Sequence, residues 1–300
     1  WHPATFTGVN EARSLANTRI DFTFHGKAAH AAGAPELGRS ALDAVELMNV
    51  GVNYMREHMP DDARVHYAYL DAGGVAPNVV QAKATVRQLV RAGSLPELNE
   101  LIARVHKIAE GAALMTETQV TSQVFSGVSN LLGNRPLEEA MQSELEKLGP
   151  VPFEEADEAF ARDIQSTLTA ADISTTFKRL GAKPQKGLAL CDFVAPLDRQ
   201  SEGGEGSTDV GDVSWAVPTV QARVATCAIG TPFHTWQTVA QGKAPAAHKG
   251  MISAAKVMAA TACRLVEDQG LVTAAKDTHQ EHLQETPYKC PIPDDVRPPV

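Results

Sequence analysis

Ile20, Phe22 and Phe24 alternate with Arg19, Asp21, Thr23 and His25. A period of two sends successive side chains to opposite faces, so this segment is predicted as a half-buried strand. After a Gly/Ala/Pro-rich loop, Ala41, Ala44, Val45, Met48, Val52 and Met55 recur at three- and four-residue spacing. That is one face of an amphipathic helix, closed by Pro60. Val65, Tyr67 and Tyr69 alternate with Arg64 and His66 in a second strand near 63–70, and Gly73-Gly74 and Pro77-Asn78 supply a turn. A third strand runs to Arg91 with Ala82, Ala84, Val86 and Val90 on one face. Ser94 and Glu97 form a capping box before a helix whose inner face is Leu98, Leu101, Ile102, Val105, Ile108 and Ala112. A last strand carries Thr118, Val120 and Val124. The order β-α-β-β-α-β is the ferredoxin-like split βαβ arrangement.

Beyond residue 126 the pattern changes. Leu137, Met141, Leu145 and Leu148 predict a helix, and the acidic stretch from Glu154 to Asp163 predicts another. Residues 181–206, with a Gly203-Gly204 turn, read mostly as loop; Val217 to Ile229 holds strand-like apolar runs. His248 to Asp268 is one strong helix, and the last 25 residues read as a tail draped on the surface. Residues 1–16 are too short to be a domain. The expected organisation is therefore one α/β domain from 1–16 and 126–300, interrupted by a small unit at 17–125. Three hundred residues suit two domains.

Hydrophobic residues at 43% support a sizeable core, and no apolar run approaches the ~20 residues of a membrane span. A net charge of −9 with 5% aromatics argues against nucleic-acid partners and anionic membrane surfaces. Cys191, Cys227, Cys263 and Cys290 are widely spaced without a CxxC pair, which points to free thiols in a reducing, cytoplasmic compartment. The chain opens at Trp1-His2-Pro3 without Met, basic segment or secretory h-region. The expectation is a chain with its upstream part removed, or one that begins within a longer protein.

Candidate chemistry centres on histidines. His30 sits in Gly26-Lys27-Ala28-Ala29-His30-Ala31-Ala32-Gly33, where small neighbours leave the ring free to meet another molecule. A loop histidine bonded to a local carbonyl is the plainer alternative. His234, in Gly230-Thr231-Pro232-Phe233-His234-Thr235-Trp236, follows a predicted buried strand, where open α/β sheets place ligands. Asp209 and Asp212 are either metal or substrate groups, or turn and N-cap aspartates. His248 begins a helix and reads as a cap-region residue; His279 and His282 form an HxxH on a polar tail, weak evidence for a metal. No GxSxG, phosphate loop or GxGxxG occurs, so serine-hydrolase, NTPase and Rossmann readings lack support.

Taken together, Gly26–Ala32, Gly38–Met55, Gly73–Val80, Ile108–Thr118, Gly206–Trp215, Gly230–Trp236 and Ala247–Met251 resemble the C-terminal part of M20-type metallo-amidohydrolases. The resemblance runs over nearly all of the chain and is strongest to the branch that cleaves p-aminobenzoyl-glutamate. It implies a zinc-peptidase-like α/β domain holding two divalent ions, zinc or manganese, with an inserted ferredoxin-like lid that makes a homodimer. The loop histidine of the lid, here His30, then donates across the dimer to a developing oxyanion. An Asn and an Arg thirteen residues on, here Asn78 and Arg91, hold a substrate carboxylate. His2 and His234 match two metal ligands.

This sequence has no match to the family's earlier segments, which supply the first ligands and the catalytic Glu. Two histidines fall short of the roughly three protein ligands of a hydrolytic zinc site. The resemblance therefore implies metal-dependent cleavage of N-acyl amino acid amides by a longer chain or with a second related subunit. The alternatives are a non-catalytic dimerising partner subunit and a ligand-binding module of the same fold.

Overall fold

In a computed structural model, residues 1–10, 14–198, 206–294 and 296 are described. The predicted Gly203-Gly204 turn and the end at 297–300 lie outside them. The chain forms two compact units, one from Trp1–Ala12, Leu132–Gly204 and Ser214–Pro287, the other from Arg13–Leu131, Glu205–Val213 and Tyr288–Val300.

The second unit follows the alternation. Strand β3 (Ala16–His25) pairs antiparallel with both β5 (Lys83–Ala92) and β6 (Gln119–Val128), and β4 (Arg64–Asp71) pairs with β5, giving the order β4-β5-β3-β6. Helices α1 (Ala41–Met55) and α2 (Leu95–Thr116) cover one face. Ser40 caps α1 by accepting from the Asp43 amide at 3.0 Å, and Ser94 caps α2. The core is Ile20, Phe22, Phe24, Val45, Met48, Val52, Val86, Leu98 and Val105. This is the expected β-α-β-β-α-β unit with an all-antiparallel sheet. Tyr67 and Tyr69 depart from expectation. They are 40% and 43% exposed because β4 is an edge strand, though Asn49 Nδ2 donates to the Tyr69 hydroxyl at 3.3 Å.

The first unit is built on a three-stranded sheet. Strand β7 (Ala222–Ala225) lies between β1 (His2–Ala4), parallel to it, and β2 (Gly8–Val9), antiparallel. Helices α3 (Arg135–Leu148) and α8 (Pro245–Glu267) pack together, and α8 lies on β7. Gly250 makes that approach possible, since a Cβ there would sit 2.2 Å from the Ala225 carbonyl oxygen. The core gathers Phe6, Val9, Met141, Leu145, Phe177, Val224, Ile229 and Val257. Helix α4 (Glu155–Gln165) is the predicted acidic helix; α5 (Ala170–Arg179) and α6 (Val210–Ala216) are two further short helices.

The predicted surface tail is corrected over its first part: α9 spans Gln269–Glu285. The Asp268 side chain caps it by accepting from the Leu271 amide at 3.0 Å, and no Pro follows until Pro287. Ala275 and His279 are buried on one side of this largely polar helix. Among the described residues, no helix is long and apolar enough to cross a membrane.

Candidate active site

His2 heads β1 beside Arg223 of β7. Its Nδ1 lies 2.6 Å from the Pro3 carbonyl oxygen. A carbonyl only accepts, so Nδ1 carries the proton and the Nε2 lone pair is left for another partner. His2 is exposed, but partial desolvation of its ring, aided by the Arg223 charge, lowers its pKa from the ordinary histidine value despite the carbonyl bond. A neutral imidazole whose tautomer is fixed by a backbone carbonyl is the form that ligates metal ions.

The loop after β7 brings Phe233 to His2, ring centroids 6.1 Å apart. That loop is firmly tied. Gln241 of α7 (Trp236–Gln241) accepts from the Ala228 amide at 2.7 Å and donates to the Thr231 hydroxyl at 3.0 Å. Thr235 and Thr238 both donate to the Pro232 carbonyl, at 2.7 and 2.8 Å. His234 is exposed with φ at 66°, the left-handed region. Non-glycine residues held there cost about 1–2 kcal/mol, and such strain clusters at functional sites.

Phe233 is the shared wall of two cavities. One of about 400 Å³ is lined by Thr5, Phe6, Asp172, Thr176, Arg179 and Arg223, so it carries two guanidinium groups. The other, of about 250 Å³, is largely apolar and lined by Trp1, Pro3, Cys227, His248 and Met251. Burial pushes the Cys227 thiol up to about 11, so it is a protonated wall group and not a nucleophile. Arg223 and Gln241 were not singled out from sequence. Only the long-range β1–β7 pairing and the loop ties reveal them.

In the second unit, His30 Nδ1 accepts from the amides of Ala32 (3.2 Å) and Gly33 (3.0 Å). The lone pair therefore belongs to Nδ1 and the proton to Nε2, which is left as a donor. The His30–Val79 bridge and the Ala31 amide donating to the Asn78 carbonyl (3.0 Å) join His30 and Asn78 at one end of the sheet. Arg91 is at the other end. Lys83 pairs with His25 at the near end of β5, and Arg91 pairs with Asn17 and Arg64 at the far end. At about 3.3 Å per residue, roughly 26 Å of strand separate them. Within one chain, Asn78 and Arg91 are not brought together.

Asp212 is held by three donors: the Ser129 amide (3.1 Å), the Ser129 hydroxyl (2.6 Å) and the Tyr288 hydroxyl (3.0 Å). Asp209 is exposed just before α6. His248 is exposed in the first turns of α8 at the rim of the smaller cavity. His279 is buried with Nε2 3.1 Å from the Ser214 carbonyl, which accounts for half of the HxxH. Among the described residues, no group of three or more His, Cys, Asp or Glu side chains comes together as a metal site.

The fold is similar to that of one solved structure. The crystal structure of a putative aminohydrolase from methicillin-resistant Staphylococcus aureus superposes with a TM-score of 0.55, at 10% identity over 87% of this chain and 55% of that one, a likeness of fold alone. The chain is similar in sequence to curated amide-cleaving hydrolases and dipeptidases. It is 45% identical over 308 residues to one of the subunits of the p-aminobenzoyl-glutamate hydrolase of Escherichia coli (strain K12), covering 99% of this chain and 64% of that protein. It is 26% identical over 274 residues to the Xaa-Arg dipeptidase of Mus musculus, covering 90% of this chain and 53% of that protein. The chain thus spans between about half and two thirds of the length of these relatives. No family model matches it.

Proposed function

We propose that this chain is part of a metal-dependent amidohydrolase that cleaves the amide bond of N-acyl amino acids, p-aminobenzoyl-glutamate above all. The observation that carries the reading is His2. Its proton is committed to the Pro3 carbonyl, and its ring lies beside the Phe233-His234 turn with Nε2 free. Two imidazoles suit a divalent ion in kind but do not complete its coordination in number. The remaining ligands, and the Glu that moves the proton, then come from outside these 300 residues, through a longer chain or a partner. A pair of zinc or manganese ions would supply an activated water.

The chain's own residues divide the remaining tasks. His30, with its proton on Nε2, donates to the oxyanion, a term worth roughly 3–4 kcal/mol in such sites. Asn78 and Arg91 hold the substrate carboxylate, Arg91 as a fork. Because His30 and Asn78 lie far along the sheet from Arg91, a two-fold dimer that sets one end of the inserted unit against the other end of its partner is the natural assembly. Exposed Leu47, Val50 and Tyr54 on α1, with Tyr67, Tyr69 and Leu70 on the open β4 edge, supply the apolar surface for it. The free cysteines suit a cytoplasmic setting.

The test is release of free glutamate from p-aminobenzoyl-glutamate by the intact natural protein, with metal counted by mass spectrometry. His234→Ala should remove most bound metal and nearly all turnover; unchanged metal content would sink the ligand assignment. The second reading, a partner subunit without turnover of its own, is favoured by the incomplete ligand set among the described residues. It is also favoured by 29% identity over 116 residues to another subunit of the same Escherichia coli hydrolase. Turnover only after addition of a chain of that other kind would select it.

A further inference from the structure

The face of the second unit's sheet turned away from its two helices is unevenly charged. Arg87 is neutralised there by Asp21, which accepts from its Nε at 2.6 Å and Nη2 at 2.9 Å. Two rungs along β5, Arg91 has no such acid. Directly across from it stand Asn17 on β3 and Arg64 on β4. Arg19, which pairs with Leu89, is its diagonal neighbour on the same face, as is His66 from the other side. No carboxylate occupies these positions. Arg64 is tied by Nη1 to the Asp61 and Ala63 carbonyls. Arg19 is exposed and forms no ion pair among the described residues.

Arg91 itself is half-buried. Its Nη1 reaches the Ser207 hydroxyl at 3.4 Å, and its Nε is shielded from solvent with no hydrogen-bond partner among the described residues. A buried donor of a charged fork left unmade is costly, and like charges across adjacent strands repel. Burial and the Arg19 charge both depress the Arg91 pKa, so the two guanidinium groups feel each other. In a chain of net charge −9, a cationic cluster kept without acids on a polar face is the mark of an anion site.

We propose that Arg91 and Arg19 form a two-point clamp for a dicarboxylic amino acid, with Arg19 the residue that selects the second carboxylate. The Arg91 guanidinium takes the first carboxylate. A second carboxylate one or two methylenes away reaches Arg19, since diagonal neighbours lie about 7–8 Å apart, within range of long side chains. An amide of a neutral amino acid fills only the first point and leaves Arg19 as it was. The class selected is amides of glutamate or aspartate. This deepens the amidohydrolase reading and rests on it for the substrate.

The test uses the intact natural protein, treated with EDTA so that no turnover occurs, and calorimetric titration with N-benzoyl-L-glutamate and N-benzoylglycine. The wild type should bind the glutamyl compound at least about tenfold more tightly. Arg19→Gln should bring the two within about twofold by weakening only the glutamyl compound, whereas Arg91→Gln should weaken both. Should Arg19→Gln not fold, Arg19→Lys carries the same test with a loss of about threefold, because an ammonium lacks the fork. No preference in the wild type, or equal weakening of both ligands by the Arg19 variant, overturns the assignment. Turnover is followed separately: if the metal-loaded protein releases no glutamate while the binding preference stands, the hydrolase reading has failed and the clamp has not.

Discussion

Asp212 is a candidate metal or substrate group by sequence, and its surroundings predict a different consequence when it is removed. In Asp212→Ala, the half-buried carboxylate loses three donors at 2.6–3.1 Å. Ser129 is fully buried, so its amide and hydroxyl would lose the acceptor that holds them both. Leaving a buried donor unsatisfied costs about 1–3 kcal/mol, and hydrogen bonds to a charged group contribute about 1.5–3 kcal/mol each. Allowing for water entering the site and for the exposed Tyr288 partner, the net loss is about 3 kcal/mol. For a unit of roughly this size that lowers Tm by roughly 10 °C. Asp212→Asn keeps one acceptor oxygen but turns an NH2 toward a donor, so it should fall about midway. The assay is thermal unfolding by circular dichroism beside metal content by mass spectrometry. A variant with unchanged Tm and lost metal would show that Asp212 is a ligand and that this reasoning is wrong.

The same contact sets a pH dependence. Partial desolvation of the phenol, with the Asp212 hydrogen bond and charge behind it, raises Tyr288 above its ordinary value near 10. A raised folded pKa stabilises the fold below the unfolded value, and the contribution is lost as pH rises from about 10 toward the folded value. Urea midpoints of the wild type should therefore fall more steeply above pH 10 than those of Tyr288→Phe; parallel curves would refute it. His30→Ala should leave Tm and metal content unchanged while cutting kcat, since the imidazole is exposed and bonds only to its own loop. Mixed with a His234→Ala variant under proven subunit exchange, it should recover up to about half the activity per mixed dimer, and no recovery would mean that His30 serves its own chain. Gly250→Ala should destabilise the first unit by about 3 kcal/mol or more, because its Cβ meets the Ala225 carbonyl at 2.2 Å; a Tm within a degree of wild type would contradict the packing.

Where neighbours in space are neighbours at helical or strand period, the sequence is a sufficient guide. Ala41, Ala44, Val45, Met48, Val52 and Met55 are all buried, and Ile20, Phe22 and Phe24 all face the core. Period fails where an element is short or polar. Strand β2 has two residues and β7 four, too few to show alternation, and α9 carries so little apolar surface that Ala275 and His279 alone mark its inner side. The candidate site is legible as a set of residues but not as an arrangement. The tautomer of His2 hangs on one carbonyl, and its lowered pKa on partial desolvation and on Arg223, which only the β1–β7 pairing brings alongside. The spread of Asn78 and Arg91 follows from strand rise once both ends of β5 are known. The cationic cluster around Arg91 escapes a linear reading because Arg19, Arg64 and Arg91 come from three strands.

The interleaving of the two units also orders events during synthesis. The Thr7 hydroxyl accepts from the Ala225 amide, 218 residues away. At about 5–20 residues per second, β1 and β2 emerge on the order of 10–40 s before β7 exists to pair with them. The four strands and two helices of the second unit are complete by Val128, so its sheet can form while the first segment is still waiting. Anything that stalls translation between residues 130 and 220 lengthens the time that Phe6 and Val9 spend without their core. The fold thus makes the pace of the ribosome a factor in yield, and slow codons in that stretch should raise aggregation without changing a single contact of the finished protein.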